Sequence, residues 1–445
     1  MRVAMIGGGY VGLVSGACFA DFGSSVTVVE RDPAKLAMLR DHKIPIYEPS
    51  LDQIVARNVQ AGRLAFTADL KSAVDGADVV FIAVGTPTRR GGGHADLTAV
   101  YEAARAVAKA ATAPLIVVTK STVPVGTGRE VARILRETRP DVRFDVASNP
   151  EFLREGNAIT DFTEPDRVVI GIDLLDTEGA ARAEASMRQV YAPLVAKNTP
   201  FRFVSRESAE LAKYASNAFL AMKVAFVNEM ADLSEKTGAD IAEVAGCMGL
   251  DRRIGDKFLR AGPGFGGSCF PKDTRALAAI AQDAGVPSRL VEATIAANEY
   301  RKEAVARRIL ALAGGEIAGK VVALLGLTFK PDTDDMREAT SLPVMRNLLT
   351  YGARIQAFDP EGMAHAKSMV TGDVTFMPTA RDAIEGSDIL VLLTEWDDFR
   401  KLEPQDVMAA MRGNIILDMR DIWDGSAFTA AGAVYHAVGR ARTAP

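Results

Sequence analysis

Short, mostly apolar runs recur through the first third of the chain, at 3–6, 26–30, 79–84, 115–119 and 144–147, with helix-period segments between them. Strands apolar at every position are buried on both faces, and strands alternating with helices predict βαβ units and a parallel sheet. The pattern then changes. From 206 to 237 there is neither Gly nor Pro, Ser205 is placed to cap the start, and Gly238 to end it. Such a helix is about 48 Å long at roughly 1.5 Å per residue. That is more than a small domain needs, so a bridge between domains or an interface is expected. Helical patterns resume at 273–284 and 287–312. After Gly314 and Gly315 the first rhythm returns, with strands expected at 321–326, 354–359, 388–393 and, last, 414–418. The second series echoes the first: a strand meeting a glycine, a strand ending in an acid (Glu30; Asp359), then an apolar strand after a Gly-x-Asp step (76–78; 386–388). The echo is one of architecture, since residue identity is too low for a sequence repeat. The chain therefore reads as α/β, with two doubly wound domains at 1–200 and 313–445 joined by a long-helix segment at 201–312.

Composition narrows the partners. At about 150 residues per domain, 445 residues make roughly three domains, and 48% hydrophobic with 24% charged residues is ordinary globular composition. The net charge of −5 offers no basic face for nucleic acid. Small molecules, or further copies of the chain, are the expected partners. The three cysteines (Cys18, Cys247, Cys269) and four histidines show neither CxxC nor HxxxH spacing, so no disulfide scaffold and no metal site are expected. A reducing, cytoplasmic compartment fits this usage. Arg2 and the apolar stretch up to Ala20 faintly echo a secretion signal, but Gly7, Gly8 and Gly9 break it, and strand, turn and helix is the better reading. No run of 18 apolar residues occurs, so no membrane span is expected.

Residues 7–12, GGGYVG, form GxGxxG directly after a strand and before an apolar helix. Glycines there permit the tight turn and let a pyrophosphate approach the N–H groups of a helix N-terminus. Glu30 ends the next strand, where an acid would accept from a ribose 2′-OH and repel a 2′-phosphate, which favours NAD over NADP. Arg31 and Lys35 are nearby cations that pull the other way. Residues 84–88 (VGTPT) and 120–124 (KSTVP) follow strands at the carboxyl edge, where open α/β sheets bind ligands. The segment 262–273, GPGFGGSCFPKD, is the most informative: its glycines let backbone wrap closely round a ligand, and Cys269 opens a helix running from about Pro271. A helix N-terminus and the adjacent Lys272 favour the thiolate, a nucleophile. Cys18 and Cys247 lie on apolar helical faces and are expected to be inert core residues. Lys213 and Asn217, four apart, share one face of the long helix.

These segments, with SNPEFLREG (148–156), ELAKYASNAFLAMKVAFVNE (210–229) and GLTFKPDTDDMRE (326–338), run in the order of the UDP-glucose/GDP-mannose dehydrogenase family, which the chain resembles over nearly its whole length. The resemblance implies an NAD-binding Rossmann domain, a helical dimerisation segment carrying the cysteine loop, and a Rossmann-like domain for the nucleotide sugar. It implies oxidation of a sugar C6 alcohol to a carboxylate with two NAD, through a Cys-bound thiohemiacetal and thioester, for polysaccharide biosynthesis. In that scheme Cys269 is the nucleophile, Lys213 and Asn217 stabilise the oxyanion, and Asp273 is a base acting through water. Glu151 activates the hydrolytic water and Thr122 positions it. Cofactor positions carried over are Gly7, Gly9, Tyr10, Val11, Gly12, Glu30, Lys35, Thr86, Thr122, Glu155, Lys272 and Arg337. Sugar-nucleotide positions are Glu151, Phe152, Leu153, Arg154, Glu155, Lys213, Asn217, Phe258, Arg260, Gly264 and Lys330. Two departures stand out: Arg260 replaces the Lys or other residue of many members, and Glu30 replaces the commoner Asp.

Ser268, where relatives acting on N-acetylhexosamine nucleotides have His, points to the UDP-glucose branch, with GDP-mannose or UDP-N-acetylhexosamine oxidation as the alternatives. A two-electron NAD-dependent hydroxy-acid dehydrogenase shares the first domain and long helices but needs no thiol. A non-catalytic nucleotide-sugar sensor would be expected to lack Cys269 or Lys213.

Overall fold

In the computed structural model, which describes residues 1–89 and 91–441, the chain forms two compact units, Met1–Ser216 with Ala279–Val286, and Asn217–Ala278 with the chain from Pro287 onward. The first holds eight strands: β1 Arg2–Ile6, β2 Ser25–Val29, β3 Leu64–Thr67, β4 Val79–Ile82, β5 Leu115–Thr119, β6 Phe144–Ser148, β7 Val168–Ile172 and β8 Phe201–Ser205. They lie in the order β3-β2-β1-β4-β5-β6-β7-β8, parallel throughout except where β6 meets β7. The second unit holds β9 Val321–Leu325, β10 Arg354–Phe358, β11 Val374–Phe376, β12 Ile389–Leu392, β13 Ile415–Asp418 and β14 Val434–Ala437, all parallel, ordered β11-β10-β9-β12-β13-β14. Both sheets therefore share the doubly wound arrangement whose strand order reverses beside the first strand, the edge where such folds bind ligands.

The apolar runs have a direct cause. Val79 and Phe81 of β4 point into one core with Phe19 and Met187, while Val80 and Ile82 point into a second with Val107 and Leu135. In the other unit Val322 and Leu324 of β9 face one cluster, and Ala323 and Leu325 the opposite one. Each fully buried aliphatic or aromatic side chain contributes about 1.5–3 kcal/mol, so a polar residue on either face of a central strand is strongly disfavoured. The Gly-x-Asp echo also has a structural reason. Asp78, just before β4, accepts from the Arg2 N–H at 2.7 Å, and Asp388, just before β12, accepts from the Val321 N–H at 2.8 Å. In both sheets this carboxylate fastens the start of the first strand to its neighbour.

The helix Arg206–Thr237 has 32 residues and lies where the pattern placed it. Ser205 Oγ accepts from the Ser208 N–H at 3.1 Å, and Gly238 ends the helix with φ +82°. The division between the units falls inside this helix. Several details differ from expectation. The strand at 414–418 is not the last, because β14 follows it, and β2 stops at Val29, leaving Glu30 one residue beyond. Cys18 is buried as expected, but Cys247 is exposed. Its helix, Ile241–Gly249, buries only Ile241, so its small apolar residues are not a core face.

Candidate functional site

In the first unit the glycine turn is shaped by contact rather than by composition alone. Gly7 sits at φ +111°, and a Cβ there would stand 2.6 Å from the Ala83 carbonyl oxygen. A Cβ on Gly12 would collide with the Gly7 carbonyl oxygen, whereas one on Gly9 would meet nothing within 4 Å. Gly9 precedes the helix Tyr10–Asp21 without a side-chain cap, so the open space lies over the N–H groups of Tyr10, Val11 and Gly12. The Glu30 carboxylate lies over Gly8 and accepts from the Asp32 N–H at 2.8 Å. Lys35 is exposed on the next helix. At the same sheet edge Thr86 is buried and donates to the Thr122 carbonyl at 2.8 Å, tying the loop after β4 to that after β5. Tyr10 donates to Glu48, which also accepts from the Gly156 and Ala158 N–H groups, both at 2.7 Å. That contact fixes the loop carrying Glu155.

The loop after β6 and the long helix form a buried ion pair in this unit. Lys213, 2% exposed, donates to Glu151, 7% exposed, at 2.9 Å. Glu151 accepts from the Leu153 N–H at 2.6 Å as well. Burial alone would raise this carboxyl. The Lys213 ammonium, the Leu153 N–H and the nearby Lys120 outweigh it and hold Glu151 below its usual range. Phe152 lies under the Arg167 guanidinium at 3.8 Å, with Lys213 5.4 Å from its ring. Arg154 is exposed and forks onto Asp161. Lys120 was not singled out by sequence beyond its motif. It is buried, donating to Asn149 at 3.1 Å and Tyr191 at 3.3 Å.

The second unit gathers the thiol with a carboxylate. Cys269 precedes the helix Phe270–Asp283, its carbonyl accepts from the Asp273 N–H at 2.8 Å, and Ser268 Oγ lies 3.6 Å from its sulfur. Asp273, 1% exposed, accepts from Asn217 at 2.6 Å and pairs with Lys272. The glycines of this loop are required by neighbours. A Cβ on Gly266 would collide with the Glu338 carbonyl oxygen, and one on Gly264 would stand 3.1 Å from Asn298 Oδ1. The Gly267 N–H donates to the Arg337 carbonyl at 2.8 Å, so the loop is laid against the segment carrying Lys330 and Arg337. The Arg337 guanidinium is held by Asp335. Phe258 adopts φ +63° with its ring 5.9 Å from Phe270. Arg260 is half-exposed and donates to the Arg420 carbonyl at 3.0 Å. Asp359, the counterpart of Glu30, is buried and accepts from the Leu327, Thr328, Glu361 and Gly362 N–H groups. The Thr328 hydroxyl and the Trp396 indole N–H donate to it as well, so this strand-ending acid is occupied in holding its own loops.

Family models for the UDP-glucose/GDP-mannose dehydrogenases match in three consecutive stretches: the NAD-binding domain at residues 1–195, the central domain at 207–300 and the UDP-binding domain at 323–425. The chain belongs to the UDP-glucose/GDP-mannose dehydrogenase family. It is 53% identical over 443 residues to a UDP-glucose 6-dehydrogenase of Rhizobium meliloti (strain 1021), covering 99% of this chain and 100% of that protein. A solved UDP-glucose dehydrogenase from Pyrobaculum islandicum superposes with TM-score 0.87 at 39% identity, covering 94% of each chain. A UDP-D-ManNAc dehydrogenase from Pyrococcus horikoshii gives TM-score 0.85 at 26% identity over 100% of both chains.

The chain is thus an NAD-dependent oxidoreductase of this family. The open space at Gly9 over a helix N-terminus fits the NAD pyrophosphate, and Glu30 beside it fits the ribose. Among the described residues no cluster of His, Cys, Asp or Glu is placed to hold a metal ion, and no helix is long and apolar enough to cross a membrane. Because the Glu30 carboxylate would face a 2′-phosphate, kcat/KM should favour NAD over NADP by at least about tenfold. Measurement of both cofactors decides the point; equal values would give the choice to Arg31 or Lys35.

Proposed function

We propose that the chain oxidises the C6 alcohol of UDP-glucose to the carboxylate in two successive two-electron steps, the second carried out on Cys269. The observation that carries the reading is Cys269 at the start of a helix, within a close-packed glycine loop, one turn from the buried Asp273–Asn217 pair. The relatives named above as UDP-glucose dehydrogenases support the substrate. Gly7, Gly9, Tyr10, Val11, Gly12, Glu30, Lys35, Thr86, Thr122, Glu155, Lys272 and Arg337 would hold NAD, which would supply the hydride acceptor for each step.

In the first step the C6 alcohol loses a proton and a hydride to become an aldehyde. Asp273 receives the proton through a water, and Lys213 and Asn217 steady the developing oxyanion. An ammonium carries three N–H donors, so one lysine can serve a carboxylate and an oxyanion together. An aldehyde is a poor hydride donor until a nucleophile adds. The Cys269 sulfur bonds to C6, the carbonyl oxygen takes a proton, and the thiohemiacetal forms. Loss of a second hydride and a proton leaves a thioester. Water, activated by Glu151 and positioned by Thr122, cleaves the C–S bond, releasing the sugar carboxylate and restoring the thiol. Phe152, Leu153, Arg154, Phe258, Arg260, Gly264 and Lys330 hold the nucleotide sugar, and a working thiol requires the reducing conditions of the cytoplasm. Supplying UDP-glucose, GDP-mannose and UDP-N-acetylglucosamine in parallel and counting NADH tests the assignment. Two NADH per UDP-glucose, with much slower turnover of the others, is expected. One NADH per sugar would replace it with two-electron chemistry.

The proposal includes a homodimer. Phe219, Phe226 and Leu233 recur at heptad spacing on the long helix and are 58%, 45% and 54% exposed, which leaves large apolar side chains on one stripe. Light scattering at micromolar concentration should give twice the chain mass, and Phe226→Glu should shift it towards the monomer. A wild-type monomer would reject this part of the reading.

A further inference from the structure

A buried lysine stands behind Glu151. Lys120 leaves the end of β5 and is 2% exposed. Its ammonium donates to Asn149 Oδ1 at 3.1 Å and to the Tyr191 hydroxyl at 3.3 Å, and the Tyr191 hydroxyl in turn donates to Asn149 Oδ1 at 2.7 Å. Asn149 is pinned on its other sides: its side-chain amide donates to the Val169 carbonyl at 2.9 Å and its backbone N–H to the Thr119 carbonyl at 2.8 Å. Two residues further on, the same loop presents Glu151. Lys120, Asn149, Glu151, Phe152 and Tyr191 line one cavity of about 180 Å³.

A buried ammonium is costly unless something uses its charge. The charged and titratable groups that face Lys120 are Glu151, Lys213 and the Cys18 thiol, with Tyr191 in hydrogen-bond contact and the Phe162 ring 5.7 Å away. Glu151 is faced in turn by Lys213 and Lys120. Two buried cations thus flank one buried carboxylate. Burial lowers Lys120 to about 8, a direction Lys213 reinforces and Glu151 opposes, so the lysine keeps its charge over most of the neutral range. Cys18 is pushed up to about 12 by burial and stays a thiol beside it.

We infer that Lys120 is a positioning residue for Glu151: it anchors the Glu151 loop through Asn149 and supplies the second positive charge that keeps Glu151 ionised while Lys213 serves the substrate oxyanion. This rests on the role proposed above for Glu151 in thioester hydrolysis. Removal of one flanking cation leaves burial less opposed, so the Glu151 carboxyl rises and hydrolysis is lost at a higher pH on the acid side.

The test is single-turnover release of the sugar acid across pH in wild type, Lys120→Met and Lys120→Arg, with NADH counted in the same samples. Lys120→Met should move the acid limb of release upward by about one pH unit or more, leave the limb of first NADH formation in place, and be corrected largely by Lys120→Arg. Asn149→Asp keeps the lysine and the size of the side chain but sets a carboxylate against the ammonium that offsets its charge at Glu151, so it should move the limb the same way even if Lys120→Met does not fold. An acid limb that stays at the wild-type pH in whichever of the two non-conservative variants folds would overturn the inference, since a purely structural lysine would change stability alone. Failure of the wild type to make two NADH per UDP-glucose would instead overturn the proposed function.

Discussion

Cys269→Ser should bind the nucleotide sugar with near wild-type affinity and lose turnover by about 10³-fold or more. Binding survives because the loop backbone is set by Gly264 and Gly266 against the Asn298 and Glu338 segments and by the Gly267 N–H on the Arg337 carbonyl, all of which the substitution leaves in place. Turnover falls because a serine hydroxyl is far less ionised than a thiol near neutral pH, which slows capture of the aldehyde. An ester that did form would persist, since alkoxide is a poorer leaving group than thiolate. The variant should therefore accumulate a covalent sugar or give a slow trickle of NADH. Titration of UDP-glucose binding by calorimetry, beside NADH counting, separates the two effects. Wild-type turnover with two NADH per sugar would remove the thiol from the mechanism and leave the second oxidation to an aldehyde hydrate handled by Asp273 or Lys213.

Lys213→Met should have the second largest effect, on rate and on stability together. Loss of an oxyanion donor costs about 10²–10³ in kcat. Loss of one member of a buried ion pair leaves its partner uncompensated, at about 3–5 kcal/mol; Lys120, still facing Glu151, places the expected figure near the lower end. The double variant Lys213→Met with Glu151→Gln should recover most of the stability and none of the activity. The amide introduced by Glu151→Gln is neutral, and its oxygen can still accept from the Leu153 N–H. Denaturant unfolding of the four proteins in the cycle measures the coupling. Additive losses would mean that the 2.9 Å contact between Lys213 and Glu151 contributes little to the fold.

Legibility in the sequence followed burial. Strands buried on both faces, such as Val79–Ile82 and Leu115–Thr119, announce themselves as apolar runs, and the long helix is bounded by residues whose capping is physical: the Ser205 hydroxyl and the positive φ of Gly238. The strands Phe201–Ser205 and Val374–Phe376 are short, partly exposed and at sheet edges, where no such run is required. Cys247 was misplaced because small apolar residues on a helix look like a core face whether or not anything covers them. In the site, the glycine turn, Cys269 and the Lys213–Asn217 spacing were local signals. The partners of those groups were not. Glu151 meets Lys213 across 62 residues, Asn217 meets Asp273 across 56, and Lys120 reaches Tyr191 across 71. Such pairings arise from the fold and leave no periodic trace in the chain. Asp359 gives the opposite lesson: a strand-ending acid that looked like Glu30 is engaged by four backbone N–H groups, the Thr328 hydroxyl and the Trp396 indole N–H.

The central claim is that the sugar is bonded to Cys269 during the second oxidation. Wild-type enzyme mixed with NAD and UDP-glucose, quenched in acid within a turnover and analysed by intact-protein and peptide mass spectrometry, tests it directly. The account predicts a UDP-sugar acyl adduct on the Cys269 peptide that appears with the second NADH, decays as the sugar acid is released, and is missing from Cys18 and Cys247. Full formation of two NADH per sugar with no adduct on Cys269 at any quench time would contradict it.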